Sequence, residues 1–229
     1  MRHGVTALWV ALVSVDASAQ ISGSVNLVSD YRYRGVSLSH GDPAAQFAVA
    51  YDDAQGWYAG AFASTVRLSA PSNRGLQAIA FAGYAKRLPS GVSFEAGADY
   101  SAFSDGRGYD YAEVYGGFAF ENVSGRLYYA PRYYGADAGA YYAELNGAQR
   151  VHERVRLLAH VGVLQLNGGN PYSGWPDHRV FDGRAGVGID VDAFDVQLSW
   201  VGISRAYTAY PITGVSSRNG VVLTLSWLF

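Results

Sequence analysis

Three charged side chains stand at alternate positions early in the chain: Asp30, Arg32 and Arg34. On an extended strand a period of two sends all three to one side. An acid and two guanidiniums so placed can hold a loop by hydrogen bonds, line a constriction, or take an anionic solute. Further along, Glu95, Asp99, Glu113, Arg126, Arg132, Glu144, Arg150, Arg156, His160, Asp182, Arg184 and Asp190 fall on the polar parity of strand-like segments. Acids and bases nearly balance in this set. Such an interior is expected to be salt-bridged and to show little ion selectivity, because a charge ring of single sign is what imposes a preference.

Catalysis is thinly served by the same residues. His160 is a candidate base, with Glu144 or Asp182 as its orienting acid. No Gly-x-Ser-x-Gly elbow is present, and with Cys 0 there is neither a thiol nucleophile nor a thiolate ligand. No two His share a strand face at metal-binding spacing. Gly186-Val187-Gly188-Ile189-Asp190 lacks the third glycine and the following helix of a phosphate cradle. No catalytic, cofactor or metal residue is therefore assigned.

The elements that must position these side chains read as strands. Alternating apolar and polar residues predict twelve, at about 21–36, 43–52, 56–67, 76–87, 91–103, 110–121, 123–133, 139–150, 155–166, 179–191, 193–205 and 217–229. In the eleventh, Phe194, Val196, Leu198 and Trp200 alternate with Asp195, Gln197 and Ser199. Tight turns near residues 52–56, 88–90, 121–123, 151–154 and 190–193 alternate with longer segments near 37–42, 68–75, 104–109, 134–138, 167–178 and 206–216. Short turns at one end and long loops at the other, with an even strand count, are the habit of a transmembrane antiparallel up-and-down β-barrel. Tyr31, Tyr33, Tyr51, Tyr58, Tyr84, Tyr100 and Tyr129 are expected on the apolar side near strand ends, at headgroup depth. Pro131, inside the seventh strand, cannot donate to the ladder and predicts a bulge.

Both ends of the sequence agree. Arg2 and His3 precede an apolar stretch from Gly4 to Val15, too short to cross a bilayer as a helix, and Ala17-Ser18-Ala19 offers a small-x-small cleavage pattern. Residues 1–19 are expected to be a signal peptide and 20–229 the barrel domain. No later stretch reaches 18 consecutive apolar residues, so a membrane location requires a closed barrel. The last strand alternates Val221, Leu223, Leu225, Trp227 and Phe229 against Val222, Thr224, Ser226 and Leu228. An aromatic terminal residue is what barrel assembly machinery tends to recognise, making Phe229 the expected contact for that partner, with outer-membrane lipid as the second.

Composition limits the alternatives. Hydrophobic residues make up 49% and charged ones only 16%, yet the apolar residues are spread along strands rather than gathered into helical stripes. A formal net charge of -2 argues against a nucleic-acid partner. Lys86 is the only Lys, so the cations are nearly all Arg, the better partner where charges pair in confined, partly dehydrated space.

A family resemblance adds to this. The run Val25-Asn26-Leu27-Val28-Ser29-Asp30-Tyr31-Arg32-Tyr33-Arg34-Gly35-Val36-Ser37, followed by Asp42-Pro43-Ala44, resembles the opening of the TorF family of proteobacterial porins. Gly56-Trp57-Tyr58-Ala59-Gly60, Asp110 to Gly117 and Tyr128 to Gly135 support it, and the likeness covers most of the chain to about residue 165. It implies a small outer-membrane barrel of pore function.

Twelve strands about 4.8 Å apart and tilted by about 40° close with a backbone diameter of roughly 24 Å. Side chains reduce this to about 10 Å, enough for ions and small polar solutes if no loop folds in. Antiparallel pairing sets Arg126 diagonal to Glu144 and Arg132 diagonal to Glu113. The leading expectation is a porin for small solutes. The alternatives are a closed structural or surface-binding barrel using the loop Asn170 to Pro176, and an outer-membrane hydrolase built on His160.

Overall fold

The computed structural model describes residues 20–68, 74–104, 108–135, 138–167, 179–204 and 219–229. The expected signal peptide at residues 1–19 and the loop from Asn170 to Pro176 lie outside the described residues. In chain order the elements are β1 (Gln20–Val28), β2 (Arg32–Tyr33), β3 (Val36–Ser37), β4 (Ala44–Asp52), β5 (Trp57–Val66), β6 (Gly75–Arg87), β7 (Ser93–Phe103), β8 (Tyr111–Phe120), β9 (Val123–Ala130), a 3-10 turn (Tyr133–Gly135), β10 (Ala140–His152), β11 (Val155–Leu166), β12 (Arg179–Val191), β13 (Phe194–Ile203) and β14 (Asn219–Leu228). All strands but β2 and β3 form one closed antiparallel barrel of twelve. β1 completes the ring: Val25 pairs with Phe47 of β4 on one side and with Trp227 of β14 on the other. No barrel strand is left with an unpaired edge.

Register follows from the alternation. In β13 the side chains of Phe194, Leu198 and Trp200 are exposed outside while Asp195, Gln197 and Ser199 are buried inside. A slip of one residue would exchange the two sets. Monomeric soluble proteins rarely leave contiguous apolar surface above roughly a few hundred Å². Here exposed Ile, Leu, Val and aromatic side chains run round the whole outer wall. Outward rings gather at two levels: Trp57 and Tyr84 meet edge to face at 5.1 Å between centroids near the tight-turn end, and Tyr129 and Tyr141 at 4.8 Å near the loop end.

Three expectations change. The first strand stops at Val28 instead of running to residue 36, because Asp30 finds local partners that compete with the ladder: its carboxylate accepts from Ser37 Oγ at 2.5 Å, Ser39 Oγ at 3.2 Å and Arg32 Nε at 2.7 Å. Residues 29–43 fold into the barrel instead, carrying the hairpin β2–β3. Its two-residue turn is Arg34-Gly35, with φ of 49° and 80°, the left-handed pair of a type I′ connection. Pro131 causes no bulge, since β9 ends at Ala130 and the chain leaves the sheet before the missing donor matters. The ladder irregularity lies between Arg150 and His152, where β10 pairs with β11. Tyr31, Tyr33 and Tyr58 are also not on the outer girdle: the first two ride on the inserted loop, and Tyr58 is buried on the inner face of β5.

The buried core therefore lies inside the barrel, toward the loop end. Tyr31, Val36 and Leu38 of the inserted loop pack there with Tyr111, Tyr115, Tyr128, Tyr133, Tyr134, Tyr142, Leu164 and Ile203. Val36 and Leu38 are wholly buried, and each such burial is worth roughly 1.5–3 kcal/mol relative to exposure.

Candidate functional site

The inserted loop crosses the bore and is tied to opposite walls. Tyr31 donates its hydroxyl to Gln77 of β6 at 2.8 Å, and the Arg67 amide after β5 donates to the Leu38 carbonyl at 2.7 Å. At its tip, Gly35 rests on β12 and β13 so closely that a Cβ would stand 2.7 Å from the Asp182 Cβ and 3.1 Å from that of Ile203. Arg34 reaches the far wall: Nη2 and Nη1 donate to the two carboxylate oxygens of Glu113 at 2.6 and 3.0 Å, and Nη1 also donates to the Tyr133 hydroxyl at 3.1 Å. The guanidinium carbon lies 4.2 Å from the ring centroid of Tyr142, 4.9 Å from Tyr33 and 5.0 Å from Tyr128. Bidentate pairing plus stacking on aromatic faces is the use to which Arg, and not Lys, is suited.

A tyrosine ladder supports that cage. Tyr115, Tyr128 and Tyr142 are direct cross-strand neighbours on β8, β9 and β10, with centroids 5.5 and 6.1 Å apart. Tyr58 of β5 joins them along the same row of the inner wall, over Gly83 and Gly97, with its hydroxyl 2.8 Å from that of Tyr115. Gly97 makes room: a Cβ there would meet the Tyr115 hydroxyl at 2.5 Å. These rings share inner-face parity with Glu113 and Arg126, and that parity was the signal in the sequence that could have placed them inside.

The remaining inner charges form further networks, two of them joined to the ladder through Tyr58 and Tyr142. Glu95 of β7 holds Arg126 of β9 side-on, its two carboxylate oxygens accepting from Nε and from Nη2, the latter at 3.0 Å, and it accepts from the Tyr58 hydroxyl at 2.9 Å. Near the turn end Arg156 bridges Asp190 and the fully buried Asp195. Arg150, exposed at that same end, reaches Asp190 at 3.0 Å and donates to the Glu153 carbonyl at 2.6 Å.

His160 is enclosed on both ring nitrogens. Nδ1 lies 2.6 Å from Asn146 Oδ1, and Nε2 lies 2.8 Å from Asp182 Oδ1 and 3.2 Å from the Tyr142 hydroxyl. The orienting acid is thus Asp182; Glu144 is not bonded to the ring. With both nitrogens engaged, and no Ser hydroxyl on either among the described residues, the ring is held as a strut between β10, β11 and β12.

The sequence-derived set is thus divided. Asp30, Arg32 and Arg34 stand on the inserted loop, not on a barrel strand, and Arg34 alone crosses to the far wall. Glu95, Asp99, Glu113, Arg126, Glu144, Arg156, His160, Asp182 and Arg184 point into the barrel. Arg132 does not: it is exposed beyond the end of β9, and the partner of Glu113 is Arg34. Arg126 pairs directly with Glu144 in the ladder but turns its side chain to Glu95.

A family model described as a bacterial protein of unknown function, Gcw_chp, matches residues 14–226. The chain belongs to the Gcw_chp family. No curated protein matches it. Among solved structures this Gcw_chp barrel is similar to the NanC porin, with TM-score 0.58 and 11% identity over 91% of this chain and 99% of that one. It is also similar to an outer-membrane channel from Pseudomonas putida F1, with TM-score 0.54 and 12% identity over 94% and 96% of the two chains. The KdgM porin, solved in complex with disordered oligogalacturonate, gives TM-score 0.53 and 9% identity over 93% and 98%. At these identities the likeness of the Gcw_chp chain to the three is one of fold.

Proposed function

We propose that this Gcw_chp barrel is an outer-membrane porin, passing ions or small polar solutes through a bore narrowed by its own first loop. The observation that carries the reading is the division of the closed barrel into an apolar outer wall and an inner wall of hydrogen-bonded charges. The porin folds it resembles support it, as does the TorF-like opening motif. Removal of residues 1–19 on export, insertion in outer-membrane lipid and delivery to the assembly machinery through Phe229 belong to the same proposal. Backbone bonds in both directions between Gly23 and Phe229 fit a last strand that closes the ring.

The bore is narrower than strand number alone predicts. Arg34, Gly35 and the tyrosine ladder fill part of the space that about 10 Å of free diameter would leave. Planar-bilayer recording of the purified protein tests the reading. Small, stable unit conductances are expected, and they should grow when residues 32–37 are replaced by a short flexible linker. A bilayer that stays silent for both proteins would overturn the porin assignment. The filled loop end of the interior favours a second reading in that event, a closed barrel that serves structure or surface binding.

A further inference from the structure

We propose that the wall formed by β10, β11 and β12, immediately on the turn side of the inserted loop, binds a small zwitterion, with its carboxylate on Arg184 and its ammonium on Glu144. The inference rests on the porin reading only in needing water access to the barrel interior. Arg32, Arg34, Arg126 and Arg156 each hold a carboxylate. Arg184 holds none among the described residues, and its Nε is buried without a hydrogen-bond partner.

The nearby acids are Glu144 and Asp182. Asp182 is committed to His160 and Tyr142. Glu144 has no ion-pair or hydrogen-bond partner among the described residues, because its cross-strand neighbour Arg126 is turned to Glu95 and Tyr128.

Register sets the span between the two free charges. Glu144 pairs with Gly162, Gly162 pairs with Asp182, and Arg184 lies two residues along β12. Two inter-strand steps and two residues of rise place the α-carbons about 12 Å apart. Long side chains projecting inward shorten this to a gap that neither closes alone. Gly162, on the strand between them, has no side chain and is covered by the Tyr142 hydroxyl and Asp182 Oδ2, so these two groups form the floor over which a bridging solute would lie. Half-buried opposite charges that do not meet each lose solvation without a compensating partner. A solute carrying both signs satisfies the two at once, whereas a simple anion or cation satisfies one.

Calorimetric titration of the detergent-folded barrel tests this with glycine, acetate and methylammonium as probes. Glycine is expected to bind at least about tenfold more tightly than either single-charge probe, and Arg184→Gln and Glu144→Gln should each weaken it by about tenfold. Arg184→Lys, which keeps the charge, should recover part of the loss, and heat-modifiable gel migration checks that each variant is folded. Equal affinity for acetate and glycine, indifference to Glu144→Gln, or no glycine binding by the folded wild type would each overturn the zwitterion site. Glycine binding without bilayer conductance would instead overturn the pore and leave the site standing.

Discussion

Arg34 and Glu113 are 79 positions apart in sequence yet share two hydrogen bonds of 2.6 and 3.0 Å across the bore, with side chains only 5% and 2% exposed. Removing one partner of a pair so enclosed leaves the other buried and unpaired, at a cost of roughly 3–5 kcal/mol. Arg34→Ala and Glu113→Ala should each lower the urea midpoint of the folded barrel. Arg34→Met with Glu113→Leu should restore much of that loss, because the double change removes both charges. Single-channel noise should rise in the single variants as the loop tip loosens, while the buried Val36 and Leu38 keep the loop inside.

The Gly35 turn offers a second handle on the same loop. Its φ of 80° and its approach to Asp182 and Ile203 leave no room for a side chain. Gly35→Ala should therefore lift the tip off β12 and β13. The expected readout is a larger unit conductance with the barrel still heat-modifiable on gels; an unchanged conductance would mean that the tip does not set the constriction.

Arg156 joins two carboxylates from neighbouring strands near the turn end, and Asp195 there has no exposure at all. Arg156→Ala should destabilise the barrel by roughly 3–5 kcal/mol. Arg156→Lys should rescue little, since one ammonium cannot serve both acids in the geometry of a planar fork. Equilibrium unfolding in lipid vesicles measures both.

The outer wall makes its own prediction. Val161, midway along β11 and 59% exposed, is expected to face acyl chains. Val161→Arg should cost about 2–4 kcal/mol when the barrel is folded in bilayers. A negligible cost would place that surface in water.

Ion preference is the remaining test of the interior. The inner charges are largely paired acid with base, as at Arg34 with Glu113, Arg126 with Glu95 and Arg156 with Asp190 and Asp195. The reversal potential in a KCl gradient should lie close to zero. A strong anion or cation preference would point to a charge ring of single sign instead.

The strands were legible in the sequence because a pleated chain with lipid-like surroundings on one side and polar contacts on the other must alternate. That periodicity is local: Phe194 to Trp200 shows it without reference to any other strand, and it carries strand count, parity and the placing of Glu95, Glu113 and Arg126 inside. What parity could not decide was where a strand stops and which inner charges meet. Asp30, Arg32 and Arg34 keep a period of two, yet the Asp30 contacts with Ser37 and Ser39 and the positive φ at Arg34 and Gly35 turn the chain inward. Arg126 took Glu95 rather than Glu144 because Gly117, between them in the ladder, leaves the space over β8 to both side chains, whereas Glu113 took Arg34 rather than Arg132 through distances across the bore. Those distances exist only once β14 has met β1.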